Sequence, residues 1–203
     1  MTNTVWDRIE EARSRWNVLE HPFYQRWSAG ELSEDELAAY AGQYRHAVEA
    51  IAGLSAYLAA ELPADQHLAE HAREEVEHID LWDGFVESVG GDSSAAPNAE
   101  TAACKAEWTK HDGPTSALAR LYAIESGQPE ISRTKLDGLA AHYGVPEGPG
   151  SRYFSVHEGR DVEHATEGRA LLQGLLAEGG EDATVAAAEA AFEANWKLLD
   201  GVS

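Results

Sequence analysis

The chain has 203 residues, 43% of them apolar, and its 36 acidic residues against 15 lysines and arginines give a formal charge of −21. Charge of this sign and size repels the phosphates of nucleic acid and of anionic lipid, so we expect neither partner. The length favours a single domain over residues 1–203. Because no stretch approaches the roughly 18 apolar residues of a membrane span or resembles a signal peptide, we predict a cytoplasmic protein.

The first part of the chain is predicted to be helical. Residues 4–18 have the apolar spacing of an amphipathic helix, and Pro22 is suited to the first turn of the next one. Ser33 and Glu36 have the spacing of a capping box, which a long apolar-periodic run follows. Glu49 lies in the apolar part of that run, and a carboxylate there either turns outward or has a partner.

The next predicted helix covers residues 65–91 and ends in a glycine pair. Glu75 and His78 are three residues apart, and Glu74 and His78 are four apart, so either pair can share one face. Alone this spacing is weak evidence for a site. In helical bundles, however, carboxylate-bridged two-metal sites are assembled from Glu and Glu-x-x-His contributions on facing helices.

A long helix is predicted over residues 115–143, after a linker and a short helix over residues 99–110. Glu125 follows four largely apolar residues, and Pro129 comes soon after it. Proline removes a helical hydrogen bond, so we expect a distortion beside Glu125. An exposed carboxylate beside an ordinary kink is the alternative interpretation.

The stretch SRYFSVHEGRDVEHATEGRALL, residues 151–172, carries His157, Asp161 and His164. At about 100° per residue these three lie at about 0°, 40° and −20° and share one helix face, from which they can bind a metal ion. A solvated charged face is the alternative. The chain closes with a helix over residues 181–199, and no segment shows a clear strand pattern. We therefore predict an all-α bundle of about seven helices.

The candidate ligands are distributed over four predicted helices: Glu49, Glu74 or Glu75, His78, Glu125, His157, Asp161 and His164. A mixed set of imidazoles and carboxylates suits iron or manganese better than zinc. Calcium and magnesium are disfavoured by the imidazoles. The number of ligands is enough for two ions.

Four stretches resemble the TenA/PqqC superfamily, which has the haem-oxygenase-like all-helical fold: LYAIESGQPEISRTKLDGL, YFSVHEGRDVEH, EHPFYQRWSAGEL and EEVEHIDLW. Within the superfamily they are most similar to the haem-oxygenase-like dimetal oxidases, and above all to the CADD group, named after chlamydial proteins that associate with death domains. The resemblance covers about residues 21–172. It implies an oxidase or oxygenase that activates dioxygen, and for this fold we expect a homodimer.

The resemblance implies that Glu125, His157, Asp161 and His164 hold two iron ions, or one iron and one manganese. It leaves the choice between Glu74 and Glu75 open, because the chain differs from the CADD group in its spacing before His78. Glu49 matches a carboxylate that some of these oxidases have but that the CADD group lacks, so it ranks last among the candidates.

The CADD group is associated with making p-aminobenzoate from one of its own tyrosines, with a lysine as amino donor. Tyr24 in HPFYQRW and Lys135 in ISRTKLDGL occupy the matching places. The resemblance therefore implies that these two side chains react. Tyr24 can equally be an ordinary core aromatic residue, in which case a separate small molecule is the substrate.

The superfamily also includes proteins that work in two other ways. TenA-type thiaminases use a cysteine in a central helix, whereas the single cysteine, Cys104, follows the linker, so we do not expect thiaminase activity. A metal-free binding or regulatory protein of the TenA/PqqC kind is the remaining alternative. The full set of candidate ligands argues against it.

Overall fold

Eight α-helices and no strand are found in residues 4–177 and 179–203, which the computed structural model describes. The all-α prediction is confirmed, with one helix more than expected. A 3₁₀ turn, Val18–Glu20, joins the first two helices. The helices are α1 (Val5–Arg15), α2 (Pro22–Ala29), α3 (Glu34–Glu61), α4 (Gln66–Ser88), α5 (Ala99–Trp108), α6 (Pro114–Ala141), α7 (Pro149–Leu176) and α8 (Glu181–Asp200).

Side-chain caps mark where α3 and α4 begin. The predicted capping box of α3 is present: the Ser33 hydroxyl accepts from the Glu36 backbone N–H, and the Glu36 carboxylate accepts from the Ser33 N–H. At the start of α4, the Asp65 carboxylate accepts from the N–H groups of the next turn. These caps satisfy backbone donors that have no partner within the helix.

Helices α4, α6 and α7 surround the part of the core where the candidate ligands lie. Helix α7 packs against both α6 and α4, α3 packs along α4, and α8 covers α5 and α6. Trp27, Trp82 and Trp108 are fully buried in the core that these helices share. Gly138 allows close packing of α2 on α6, because a Cβ there would overlap the Trp27 indole.

Helix α6 continues through Pro129 as an α-helix. Proline has no N–H, so the carbonyl of Glu125, four residues earlier, lacks its usual helical donor. Helices α3, α6 and α7 have 28 residues each, a length that could span a bilayer. None of the helices in the described ranges, however, is apolar enough to do so.

Candidate metal centre

Seven buried acidic and histidine side chains face the space between α4, α6 and α7. Each is at most 8% exposed. The two helices that contribute three residues each do so at positions i, i+4 and i+7, which lie on one helix face. The residues are His71, Glu75 and His78 of α4, Glu125 of α6, and His157, Asp161 and His164 of α7.

The first group of possible ligands consists of His71, Glu75, Glu125 and His164, whose ligand atoms lie within 4.8 Å of one another. The Nε2 atom of His71 is 2.8 Å from an oxygen of Glu125 and 3.4 Å from one of Glu75. The rings of His71 and His164 are 4.0 Å apart. Three helices therefore supply one compact set of two nitrogen and two carboxylate ligands.

The second group consists of Glu75, His78 and His157, whose ligand atoms also lie within 4.8 Å of one another. The His78 Nδ1 atom is 3.0 Å from Glu75 Oε1, and the rings of His78 and His157 are 4.5 Å apart. Glu75 belongs to both groups. Its position between them is the one that a bridging carboxylate occupies in a two-metal site.

Asp161 lies on α7 between His157 and His164 and is 1% exposed. Neither of its carboxylate oxygens has a hydrogen-bond partner, and Oδ1 is 3.6 Å from His164 Nδ1. Burial raises the pKa of this carboxyl to about 7. A buried carboxylate without partners is costly, and a bound cation would compensate it.

The two ends of the site differ in the protonation of their histidines. Burial lowers the pKa of His71, but the negative charges of Glu125 and Glu75 close to its ring outweigh this and raise it to about 10. Burial lowers the pKa of His157 to about 4. His157 donates from Nδ1 to the Tyr153 carbonyl at 2.7 Å, which leaves Nε2 without a partner. A neutral imidazole fixed in this way is prepared for metal coordination.

Polar atoms without hydrogen bonds indicate that the site fits a metal ion. They include atoms of the first group and of its neighbours on α7: His71 Nε2, Glu75 Oε2, Glu125 Oε1, His157 Nε2, both Asp161 oxygens and His164 Nδ1. Buried polar atoms are normally satisfied, so this concentration of orphans requires a cause. Divalent cations satisfy such atoms, and the nitrogen and oxygen donors suit iron or manganese.

Besides Asp161, two predicted ligands lie outside both groups, Glu49 and Glu74. The Glu49 carboxylate on α3 accepts hydrogen bonds from Arg45 and Lys105, the latter at 2.7 Å. The Glu74 carboxylate accepts two from Arg160, at 2.7 and 3.0 Å, and its Oε2 is 3.3 Å from Nε2 of His164. Glu75, and not Glu74, is therefore the member of the pair within the groups.

His71 was not among the predicted ligands, although a sequence pattern marks it. The segment HAREEVEH, residues 71–78, has the same spacing of histidines and carboxylate as HEGRDVEH, residues 157–164. Once the second segment is identified as a ligand helix, the first predicts His71, Glu75 and His78 together.

Lys135 is 1% exposed and lies in what we call the aromatic cage. Within the described residues no carboxylate lies at ion-pair distance from its Nζ atom, and burial lowers its pKa well below the usual value. The cage consists of five rings whose centroids lie 4.8–5.7 Å from Nζ: Tyr24, Tyr40, Tyr44, Trp82 and Phe154.

Tyr24 lies on α2, is 2% exposed, and is the cage ring at 5.7 Å from Nζ of Lys135. The cage borders the metal centre through Tyr153, whose ring stacks on His157 at 3.9 Å and is 4.8 Å from the Trp82 ring. The residues predicted to react are thus brought together, beside the predicted ligands.

Cys104 lies on α5 and is 1% exposed. Burial raises the pKa of its thiol. A cysteine nucleophile reacts as an accessible thiolate, so this environment does not suit one.

Comparisons with known proteins identify the family to which the chain belongs. Residues 38–196 match the family described as iron-containing redox enzymes. A 4-aminobenzoate synthase of Chlamydia trachomatis serovar D is 34% identical, with 84% of this chain and 80% of the relative covered. The 4-aminobenzoate synthases of Chlamydia muridarum and Nitrosomonas europaea are 31% and 30% identical, cover 96% and 99% of this chain, and are covered over 88% and 92% of their own lengths.

Solved structures establish the fold independently of sequence. A TenA homologue from P. horikoshii OT3 matches with a TM-score of 0.79 at 14% identity over 98% of both chains. A protein with a heme oxygenase-like fold from Shewanella denitrificans OS217 matches with a TM-score of 0.80 at 19% identity, covering 100% of this chain and 93% of the other. The fold is thus haem-oxygenase-like, and the chain belongs to the family of iron-containing redox enzymes.

Proposed function

We propose that the protein makes 4-aminobenzoate from its own Tyr24, with nitrogen from Lys135, at a di-iron or iron–manganese centre that uses dioxygen. The observation that carries the proposal is the burial of both side chains in one aromatic cage that borders the buried ligand groups. Relatives at 30–34% identity that bear the name 4-aminobenzoate synthase support it.

The chain supplies ligands for two neighbouring ions. His71, Glu125 and His164 would hold one, His78 and His157 the other, with Glu75 shared between them. Bound iron, alone or with manganese, supplies the reduction of dioxygen. Asp161, buried next to His164, adds negative charge that offsets the charge of the ions.

The cage prepares Lys135 to act as an amine. Burial disfavours the ammonium form, so the nitrogen keeps the lone pair that bond formation to a carbon requires. Tyr24 is held next to this nitrogen by packing against Phe23 and Trp27. A neighbour fixed in this way reacts as if it were present at very high concentration.

The overall reaction balances in a simple form. The Cα–Cβ bond of Tyr24, its ring C–O bond and the Cε–N bond of Lys135 break. The ring gains the nitrogen, Cβ becomes the carboxyl carbon, Cα gains a hydrogen, and Cε gains a hydroxyl. Cβ loses five electrons and Cα gains one, and one dioxygen takes up the remaining four. Because Tyr24 is consumed, each chain reacts once.

Isotope labelling tests the proposal directly. Protein made with ring-¹³C tyrosine and ¹⁵N-lysine is loaded with iron, with or without manganese, and exposed to oxygen. We expect doubly labelled 4-aminobenzoate and, by peptide mass spectrometry, a glycine residue at position 24. Tyr24→Phe and Lys135→Met should abolish the labelled product, whereas Tyr122→Phe, outside the cage, and Lys197→Met on α8 should not.

Two results would contradict the proposed function, and each favours a different alternative. If oxygen is consumed while the peptides containing Tyr24 and Lys135 stay unmodified, the enzyme oxidises a separate small molecule. If protein grown with iron binds none, the metal-free binding protein becomes the better description.

A further inference from the structure

A cavity of about 270 Å³ lies between α4, α6 and α7, beside the first ligand group. His71, Glu125 and His164 form part of its lining. The aromatic cage, by contrast, borders the second group, through Tyr153 and His157. The metal centre therefore has one side toward the buried cage and another toward this cavity.

The walls of the cavity between its ends are apolar. Leu68 of α4, Leu118 and Leu121 of α6, and Leu171 of α7 contribute to them, together with the ring of Tyr122. Small-molecule sites have this character, with few polar groups at defined places. The volume lies just below the range of about 300–1,000 Å³ typical of drug-sized ligands, which indicates a smaller occupant.

The end of the cavity nearest the solvent, its outer end, is lined by two acidic residues and a histidine: Asp65, Glu167 and His67. His67 Nδ1 is 3.7 Å from Glu167 Oε1, between α4 and α7. The side chains of His67 and Glu167 are 72% and 53% exposed. Two carboxylates at an entrance to a protein of charge −21 repel anions and favour neutral or cationic molecules.

Polar atoms without hydrogen bonds lie at the inner end. His71 Nε2 and Glu125 Oε1 are 2.8 Å apart, but their contact lacks hydrogen-bond geometry, and the Glu125 side chain is 5% exposed. The inner end of the cavity is thus formed by the groups that would bind the first metal ion. A molecule in the cavity would lie directly against that ion.

We propose that this cavity binds a small external molecule with an apolar body and a neutral or cationic outer end, and holds it against the first ligand group. The inference goes beyond the formation of 4-aminobenzoate, because it concerns a molecule that the chain does not supply. It rests on the metal centre but is independent of Tyr24 and Lys135.

Three probes of similar shape and different charge test it: 4-methylphenol, 4-methylbenzylamine and 4-methylbenzoate. Each is titrated calorimetrically into full-length, iron(II)-loaded protein without oxygen, so that no turnover occurs. We expect the phenol and the amine to bind and the anion to bind at least tenfold more weakly. The double variant Asp65→Asn/Glu167→Gln should reduce this discrimination against the anion.

Matched variants locate the binding. Leu171→Trp fills the cavity and should raise the Kd of the phenol at least tenfold. Leu175→Trp, at another half-buried leucine of α7 that does not line the cavity, should leave the Kd unchanged. Thermal unfolding and metal content of both variants show that fold and centre are intact.

The proposal is overturned if the phenol and amine do not bind at millimolar concentration, if Leu171→Trp binds them as well as the wild type, or if the anion binds most tightly. Repeating the titration with Tyr24→Phe separates the two proposals. If Tyr24→Phe still binds the phenol and the amine, the cavity proposal is supported, whatever the labelling experiment shows about 4-aminobenzoate.

Discussion

The metal centre and the aromatic cage both bury ionisable groups, but they treat charge in opposite ways. In the centre, carboxylates and histidines face one another, and the acids raise the pKa of His71 to about 10. In the cage, Lys135 meets five rings and, among the residues that the structure describes, no carboxylate, and burial lowers its pKa. Ring faces attract a cation, but less than a buried ion pair does. The centre is therefore built to hold positive charge, whereas the cage is built to keep an amine neutral.

The largest effect is expected when the carboxylate that both ligand groups share is removed, because the centre would then bind less metal. We expect Glu75→Gln to lower the metal content of iron-grown protein from close to two ions per chain to less than one. Removing His157 or Glu125 should remove mainly one ion. Metal analysis of purified protein provides the measurement. Glu77→Gln, exposed on the same helix, is the control, and equal metal content in Glu75→Gln and wild type would contradict the assigned centre.

Replacing the buried amine by an apolar side chain tests the cage. We expect Lys135→Met to stabilise the protein at pH 7, because the variant removes the cost of burying an unpaired amine. We take the effect to be about 1–4 kcal/mol, the range found when buried ion pairs are replaced by apolar residues. The folded-state pKa of Lys135 lies below the usual 10.5, so the unfolded chain binds more protons between these two values. Wild-type stability therefore rises with pH in this window, and the advantage of the variant shrinks toward pH 10.5.

Urea unfolding of wild type and Lys135→Met at several pH values measures that difference. Lys197→Met, on the partly exposed face of α8, should show no comparable pH dependence. If the difference in free energy of unfolding between wild type and Lys135→Met did not change with pH, Lys135 would have to stay charged in the cage.

Glu74 tests how far the centre extends. Its Oε2 lies 3.3 Å from His164 Nε2 and is held by Arg160, so it orients a ligand from outside the groups. We expect Glu74→Gln to weaken metal binding about 10–100-fold while two ions still bind at saturation. Competition with a chelator measures the affinity. The control is Glu163→Gln, which removes the other carboxylate partner of Arg160 and should have little effect on metal affinity. If Glu74→Gln instead lost one ion at saturation, Glu74 would be a ligand.

The smallest effect is expected at Glu49. Its carboxylate is 32% exposed and paired with Arg45 and Lys105, and such pairs contribute about 0–1 kcal/mol. Glu49→Gln should therefore retain both metal ions and change the free energy of unfolding by less than about 1 kcal/mol. A sharp drop in metal content would return Glu49 to the list of ligands.

Helical periodicity was sufficient to predict the ligands on α7 but not those on α4. His157, Asp161 and His164 share a face in any α-helix that contains them. On α4, both Glu74 and Glu75 have helical spacing to His78, and which of them faces the interior depends on how the helix packs on α7. The added contacts of Glu75 with His71 decide in its favour.

Contacts between distant parts of the chain could not be predicted from local spacing. Lys105 pairs with Glu49 across 56 positions, and this pair explains how a carboxylate is accommodated beside apolar neighbours. The cage around Lys135 likewise combines rings from α2, α3, α4 and α7. The resemblance to known proteins pointed to Tyr24 and Lys135, but it did not reveal their surroundings.

The matching triads of α4 and α7 give the centre an approximate twofold symmetry. His71 faces His164, and His78 faces His157, so the two copies of the motif run in opposite directions along the centre. Glu125 breaks this symmetry, because it adds a second carboxylate to one group. The two positions are therefore unequal in negative charge, and we expect them to fill in order, the Glu125 side first. Such sorting would allow two different metals to occupy defined places in one chain.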